Sequence, residues 1–257
     1  PRFLRIRFHR FVLTIALLAL PQAMLPLSLA LGECVDYESY YHWLDTVRPA
    51  GHPYRVAING TTGFVAAEEG GLSILDLSDP TAITVTSVLP DMYASDVTAV
   101  GSFAYVADWG TGLQVVDVSS PAAPTIVGTC ALANIASVTV AGSYAYVTEP
   151  VLQTFYVIDI SVPTVPAIVA GIYMQGFPWD TAVQDGFAYV SCSYAGVAVV
   201  DIAEPKDPVV IDMIDTPGVA FGVATDQKYA YVADGEAGLT VIKIENPHNA
   251  VVVGNLD

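Results

Sequence analysis

The chain has 257 residues, with 26 Asp and Glu against 9 Lys and Arg, and a net charge of −17. So acidic a surface repels phosphate backbones and anionic lipid headgroups, which excludes nucleic acid as a partner. The length suits one large all-β domain.

The N-terminus carries Arg2, Arg5, Arg7 and Arg10, then an apolar run over 11–20, then Ala30-Leu31-Gly32 ahead of Glu33. A basic segment, an apolar segment and a small-x-small site spell a helical signal peptide over 1–32. The alternative is an uncleaved anchor, although Pro21 and Pro26 interrupt the apolar run. Export implies a secreted, periplasmic or cell-surface protein with no membrane insertion after cleavage. Cys34 follows an acid rather than the small residue that lipidation at that position requires. The sequence opens on Pro1, which points to a start further upstream.

Residues 33–55 read as a linker that runs into a partial outer strand. Residues 44–51, LDTVRPAG, align with 213–218, and 250–256 occupy the same outer-strand position at the other end. The two ends duplicate one strand instead of complementing each other, which suggests a truncated array. A closed five-unit ring and an open arc both remain available.

From 56 to 257 the chain repeats. Aromatic-Val pairs begin at Phe64, Tyr105, Tyr146, Tyr189 and Tyr231, at intervals of 41 to 43 residues. Prolines at 80, 121, 163, 205 and 247 keep the same period. The units fall near 56–95, 96–136, 137–179, 180–221 and 222–257. Each holds four short apolar runs; in the second unit they are 97–100, 103–107, 113–118 and 125–130. Four short strands per repeat of this length make one propeller blade. The fold class is therefore an all-β propeller of about five four-stranded antiparallel blades.

The segments LSILD (72–76), LQVVD (113–117), FYVID (155–159), VAVVD (197–201) and LTVIK (239–243) resemble the LVIVD-repeat family of bacterial exported proteins. The resemblance spans about 41–257 and implies a β-propeller-like architecture. It carries no common reaction. The last unit departs by placing Lys243 where the others have Asp.

Asp76, Asp117, Asp159 and Asp201 each close a third strand ahead of a turn ending in Pro. A carboxylate there can accept N–H groups of the turn, a structural role that fits its repetition. Asn59-Gly60 is both a hairpin-turn signal and, with Thr61, a glycosylation sequon; the turn explanation accounts for the equivalent Gly-Ser pairs too. Asp108, Glu149 and Asp234 stand three residues past their tyrosines, where the other units have Ala67 and Cys192. With Asp91, Asp96, Asp180 and Asp215 they would crown one face, either as a solvated rim or as a site for Ca2+, another oxygen-preferring cation or a cationic partner. No EF-hand spacing supports the second choice, so no cofactor is expected beyond that Ca2+ option.

Tyr93, Trp109, Phe177, Trp179, Tyr194 and Phe221 cluster near the same loops. They either fill the space between blades or hold a ligand, with Trp109, Trp179 and Tyr194 the binding candidates. Cys130 and Cys192 lie in different units and are expected unpaired. Nucleophile elbows, dinucleotide or phosphate loops and zinc-ligand spacings are all missing. The expected function is interaction with protein or glycan, without catalysis. The alternative is a propeller hydrolase using carboxylates or a divalent cation at the central channel.

Overall fold

The computed structural model describes residues 46–256. The signal-peptide reading, its helix, the first part of the linker and Cys34 lie outside the described residues. Among the described residues twenty strands form five sheets, each paired antiparallel in chain order. Blade 1 comprises β1 (Arg55–Asn59), β2 (Thr62–Ala66), β3 (Leu72–Asp76) and β4 (Thr84–Leu89). Blade 2 comprises β5 (Ala94–Val100), β6 (Phe103–Asp108), β7 (Gly112–Asp117) and β8 (Thr125–Ala131). Blade 3 comprises β9 (Ser137–Ala141), β10 (Tyr144–Glu149), β11 (Thr154–Asp159) and β12 (Ala167–Tyr173). Blade 4 comprises β13 (Asp180–Gln184), β14 (Phe187–Ser191), β15 (Val197–Asp201) and β16 (Val209–Ile214). Blade 5 comprises β17 (Gly222–Thr225), β18 (Tyr229–Ala233), β19 (Leu239–Lys243) and β20 (Val251–Leu256).

Two corrections concern the entrance to blade 1. Arg55 belongs to β1 and not to the linker. The partial outer strand expected over 44–51 is not formed by its described part, residues 46–51. Pro49 lacks an N–H, and among the described residues each blade's third strand already pairs with that blade's own outer strand.

The two middle strands of blades 2, 3 and 4 are largely buried on both faces because a neighbouring sheet covers each face, whereas those of blade 5 are fully buried only at alternate residues. Phe64, Leu72 and Ile74 of blade 1 pack on Ala104, Val106, Val116 and Val118 of blade 2. The same arrangement joins blades 2 and 3 through Tyr105 and Leu113, 3 and 4 through Tyr146 and Phe155, and 4 and 5 through Tyr189 and Val197. Fully burying one such side chain is worth about 1.5–3 kcal/mol, so these interfaces outweigh any single polar contact.

The turn chemistry repeats with the sheets. Before each Pro a backbone carbonyl accepts the N–H three residues on: Asp79 from Ala82, Ser120 from Ala123, Val162 from Val165, Glu204 from Asp207 and Asn246 from Asn249. Pro sits at the second turn position, where its fixed φ is already correct. One feature is not visible in the sequence. Every pairing of third and outer strands shifts register in mid-strand, between Ile74 and Leu75 in blade 1 and at the matching place in the other four. Such bulges add twist where the sheet leaves the packed centre.

Inner strands pack in sequence, β1 on β5, β5 on β9, β9 on β13 and β13 on β17. Among the described residues no comparable packing joins β17 to β1. Leu239 of blade 5 is 38% exposed, whereas its counterparts Leu72, Leu113, Phe155 and Val197 are fully buried. Among the described residues the blades therefore follow the open-arc alternative.

Candidate functional site

Strand register lines up one residue from each blade at the top of the inner strands. Arg55, Asp96, Ser137, Asp180 and Gly222 face Ala66, Ala107, Thr148, Ser191 and Ala233 respectively. One residue earlier stand Tyr54, Ser95, Ala136, Trp179 and Phe221. All five of these line a single cavity of about 410 Å3, together with Arg55, Glu68, Tyr93 and Trp109. Since the inner strands converge, equivalent positions some 40 residues apart become neighbours around one mouth. The volume lies within the ~300–1,000 Å3 range of small-ligand sites.

Buried carboxylates next in the chain to Ser95 and Trp179 tie neighbouring inner strands together. Asp96 accepts the N–H of Val97 on its own strand at 2.8 Å and that of Val138 on the next blade at 2.9 Å. Asp180 repeats the device with Thr181 at 2.9 Å and Val223 at 3.2 Å. Hydroxyls add further ties between blades: Ser95 to the Ile135 carbonyl, Thr98 to that of Val138 and Thr139 to that of Thr181. Burial pushes the Asp96 carboxyl up to about 7, with Asp180 adding to the shift and Arg55 and the two N–H donors opposing it. Arg55 pairs with Asp180 at 3.1 Å, and its guanidinium carbon lies 6.0 Å from the Tyr54 ring centre. Burial opposes the Arg55 charge, but Asp180 and Asp96 outweigh it and the guanidinium pKa rises. Its Nε has no hydrogen-bond partner, so one donor remains beside the cavity.

The structure does not gather Asp108, Glu149 and Asp234 into a crown. Each is buried at or just past the end of its blade's second strand. Asp108 accepts from the N–H of Tyr93 and Gly110 and from the Thr111 hydroxyl. Glu149 accepts from Val151 and Leu152. Asp234 accepts from the Thr216 and Thr240 hydroxyls and the Gly218 N–H. Oxygens so occupied are loop fasteners, not an open set of cation ligands. Of the other acids proposed for the crown, Asp91 and Asp215 are exposed on connections, and Asp96 and Asp180 are the buried clamps just described.

Asp76, Asp117, Asp159 and Asp201 each accept the N–H two residues on, at 2.8–2.9 Å. Hydrogen bonding to Ser78, Ser119 and Ser161 holds the first three below the usual carboxylate range. Cys130 and Cys192 are free and buried.

Of the aromatic candidates, Trp109 and Trp179 line the cavity with Tyr93 and Phe221. Tyr194 is not among its lining residues and is 79% exposed. Sequence reading missed Tyr54 and Arg55, which it assigned to the linker. The signal was their alignment with Ser95-Asp96 and Trp179-Asp180, obscured because the residue types differ.

The sheets and their shared mouth define a β-propeller repeat protein. The LVIVD repeat pattern matches residues 50–88, 92–131, 134–174, 175–216 and 217–257, and the chain belongs to that family. No curated protein sequence matches it. Among solved structures, it is similar to a protein from Lactobacillus plantarum, at 15% identity and a TM-score of 0.69, over 80% of this chain and 71% of that one. It is also similar to a putative 6-phosphogluconolactonase from Bacteroides fragilis, at 12% identity and a TM-score of 0.71, over 84% and 74%. The β-propeller domain of Cps50 (Swd1) from Myceliophteria thermophila matches at 12% identity and a TM-score of 0.66, over 83% and 74%. Likeness at these identities extends to the fold alone.

Proposed function

We propose that this chain is an exported, cell-surface binding module without catalysis, and that it takes a sugar unit of a glycan in the cavity. The observation that carries this reading is the lining itself. Tyr54, Tyr93, Trp109, Trp179 and Phe221 surround the space, with Arg55, Glu68 and Ser95 among them. Aromatic faces cover the apolar face of a sugar ring, and a few convergent polar groups bond its hydroxyls. The acidic surface favours neutral or amino sugars over acidic ones. Export rests on the basic, apolar and small-x-small pattern of residues 1–32.

A glycan array followed by calorimetry on the best ligand tests the reading. Trp179→Ala and Trp109→Ala should each weaken binding roughly tenfold, the scale of one lost aromatic contact. A wild-type chain that binds no glycan above background, or binds a peptide library instead, refutes the carbohydrate assignment.

One observation favours the hydrolase reading: Asp96 and Asp180 are two buried carboxylates near the channel mouth, the first with its pKa pushed up to about 7. Both, however, spend their oxygens on backbone N–H groups of two blades. That commitment suits a clamp better than an acid–base pair, which needs an oxygen within reach of substrate. Hydrolysis of an array glycan that is lost in Asp96→Asn would restore the enzyme reading.

A further inference from the structure

We propose that His52, Glu68 and Glu69 form a Zn2+ site at the lip of the cavity. One imidazole nitrogen and two carboxylate oxygens lie within 4.8 Å of one another. His52 Nδ1 stands 3.8 Å from Glu68 Oε2 and in direct contact with Glu69 Oε1. Two ligands at tetrahedral corners of Zn2+ are separated by roughly 3.4 Å, given metal–ligand bonds of about 2.1 Å. The Glu68 separation is near that value already. The Glu69 contact opens by rotation of an exposed side chain as the metal enters between the two groups. A mixed nitrogen and carboxylate set suits Zn2+ better than Ca2+, which takes oxygens only.

The set is not part of what the repeat needs. Blade 2 holds Tyr93, Trp109 and Gly110 at these positions, and blade 4 holds Phe177, Ser193 and Tyr194. Residues required by the fold, such as the turn aspartates and prolines, recur from blade to blade; this trio occurs in blade 1 alone. The ion pairs of Glu68 and Glu69 among the described residues are both with His52, and Arg55 is engaged with Asp180. Apart from the Tyr93 hydroxyl, which hydrogen-bonds Glu68, the two adjacent carboxylates share one imidazole.

The backbone presents the three ligands from two segments tied together. The N–H of His52 donates to the Ala67 carbonyl at 3.2 Å, that of Tyr54 to Ala66 at 2.8 Å, and that of Glu68 to Ala94 at 2.9 Å. The segments run so close that a Cβ on Gly51 would lie 2.4 Å from the Gly70 nitrogen. Ligands held in this way lose little conformational freedom on binding. Glu68 also lines the cavity, so a metal with three protein ligands keeps its fourth position beside that space, as an open zinc site does.

Calorimetric titration of the untagged chain with Zn2+ alone tests the site, at about 150 mM salt, where diffuse attraction to the acidic surface is screened. One Zn2+ should bind per chain. His52→Ala and Glu69→Gln, both at exposed positions, should each weaken it roughly tenfold or more. Trp179→Ala, which leaves every ligand in place, should bind Zn2+ as the wild type does, so the result is independent of any glycan. No saturable binding, or equal affinity in His52→Ala, overturns the assignment. Ca2+ bound as tightly as Zn2+ overturns it as well, by revealing nothing more than an acidic surface.

Discussion

Replacing Asp234 by Ala discriminates between a loop fastener and a cation ligand. The carboxylate is fully buried and holds the Thr216 hydroxyl at 2.7 Å, the Thr240 hydroxyl at 2.8 Å and the Gly218 N–H at 3.1 Å. In the variant the half-buried Gly218 N–H and the buried Thr216 hydroxyl lose their acceptor, at ~1 kcal/mol or more each. The Thr240 oxygen still accepts from Asn255 Nδ2 at 2.9 Å, but its O–H loses its acceptor. The sum is about 3 kcal/mol, equivalent to a melting temperature roughly 6–12 °C lower for a domain of this size. Urea unfolding followed by circular dichroism measures it, with Asp215→Ala as the control. Asp215 is exposed on the same connection, and its replacement should stay within about 0.5 kcal/mol. The reasoning fails if Asp234→Ala costs less than about 1 kcal/mol. It fails equally if the cost vanishes when both proteins are measured in EDTA, since the missing contribution would then have been a bound cation.

Asp96 sets a pH dependence. In the folded chain its carboxyl keeps its proton up to about 7, largely through burial, whereas an unfolded Asp releases it near pH ~4. Between those values the folded state binds a proton that the unfolded state does not, so stability falls as pH rises, by at most about 4 kcal/mol. The depressed carboxyls of Asp76, Asp117 and Asp159 act in the opposite sense, their stabilisation being lost only as pH falls below the ordinary carboxylate range. The urea midpoint should therefore be higher at pH 5 than at pH 7.5, and Asp96→Asn should flatten the difference; a wild-type midpoint that rises over this interval contradicts the assignment. Gly196 has φ +79°, and an added Cβ would sit 2.0 Å from the Ile214 carbonyl, while Gly142 has φ +59° with open space around it. Gly142→Ala should cost about 1–2 kcal/mol for left-handed backbone alone, and Gly196→Ala clearly more; equal midpoints would disprove the close approach. The Cys192 thiol is fully buried and pushed up to about 12. Peptide mapping after iodoacetamide at pH 8 should find it unmodified in the native chain and modified in urea, and rapid native labelling would show that blade 4 opens.

The blades are legible in the sequence because each rests on short-range signals. A Tyr-Val strand, an LVIVD-like strand and a Pro turn lie within about 20 residues of one another, and hydrogen bonds close the turns over two or three residues. The role of Asp76 and its equivalents is legible for the same reason, since its acceptor geometry is confined to one turn. Asp108, Glu149 and Asp234 mislead because burial is not a local property. An acid next to a loop reads as exposed until the connection from the preceding blade folds over it, as the segment through Thr216 and Gly218 does over Asp234. The strand-three bulges are hidden likewise, because a register shift is a relation between two strands.

From the sequence alone came the repeat, its strands, its turns and the net negative charge, since periodic apolar runs and fixed-φ residues act over a few bonds. Only the tertiary structure brought Tyr54, Ser95, Ala136, Trp179 and Phe221 to one mouth, set Arg55 against Asp180 and placed His52 beside Glu68 and Glu69. Those meetings depend on the angle at which one sheet packs on the next. That angle arises from the fit of Phe64, Tyr105, Tyr146 and Tyr189 against neighbouring blades, a matter of shape in three dimensions that spacing along a chain does not record.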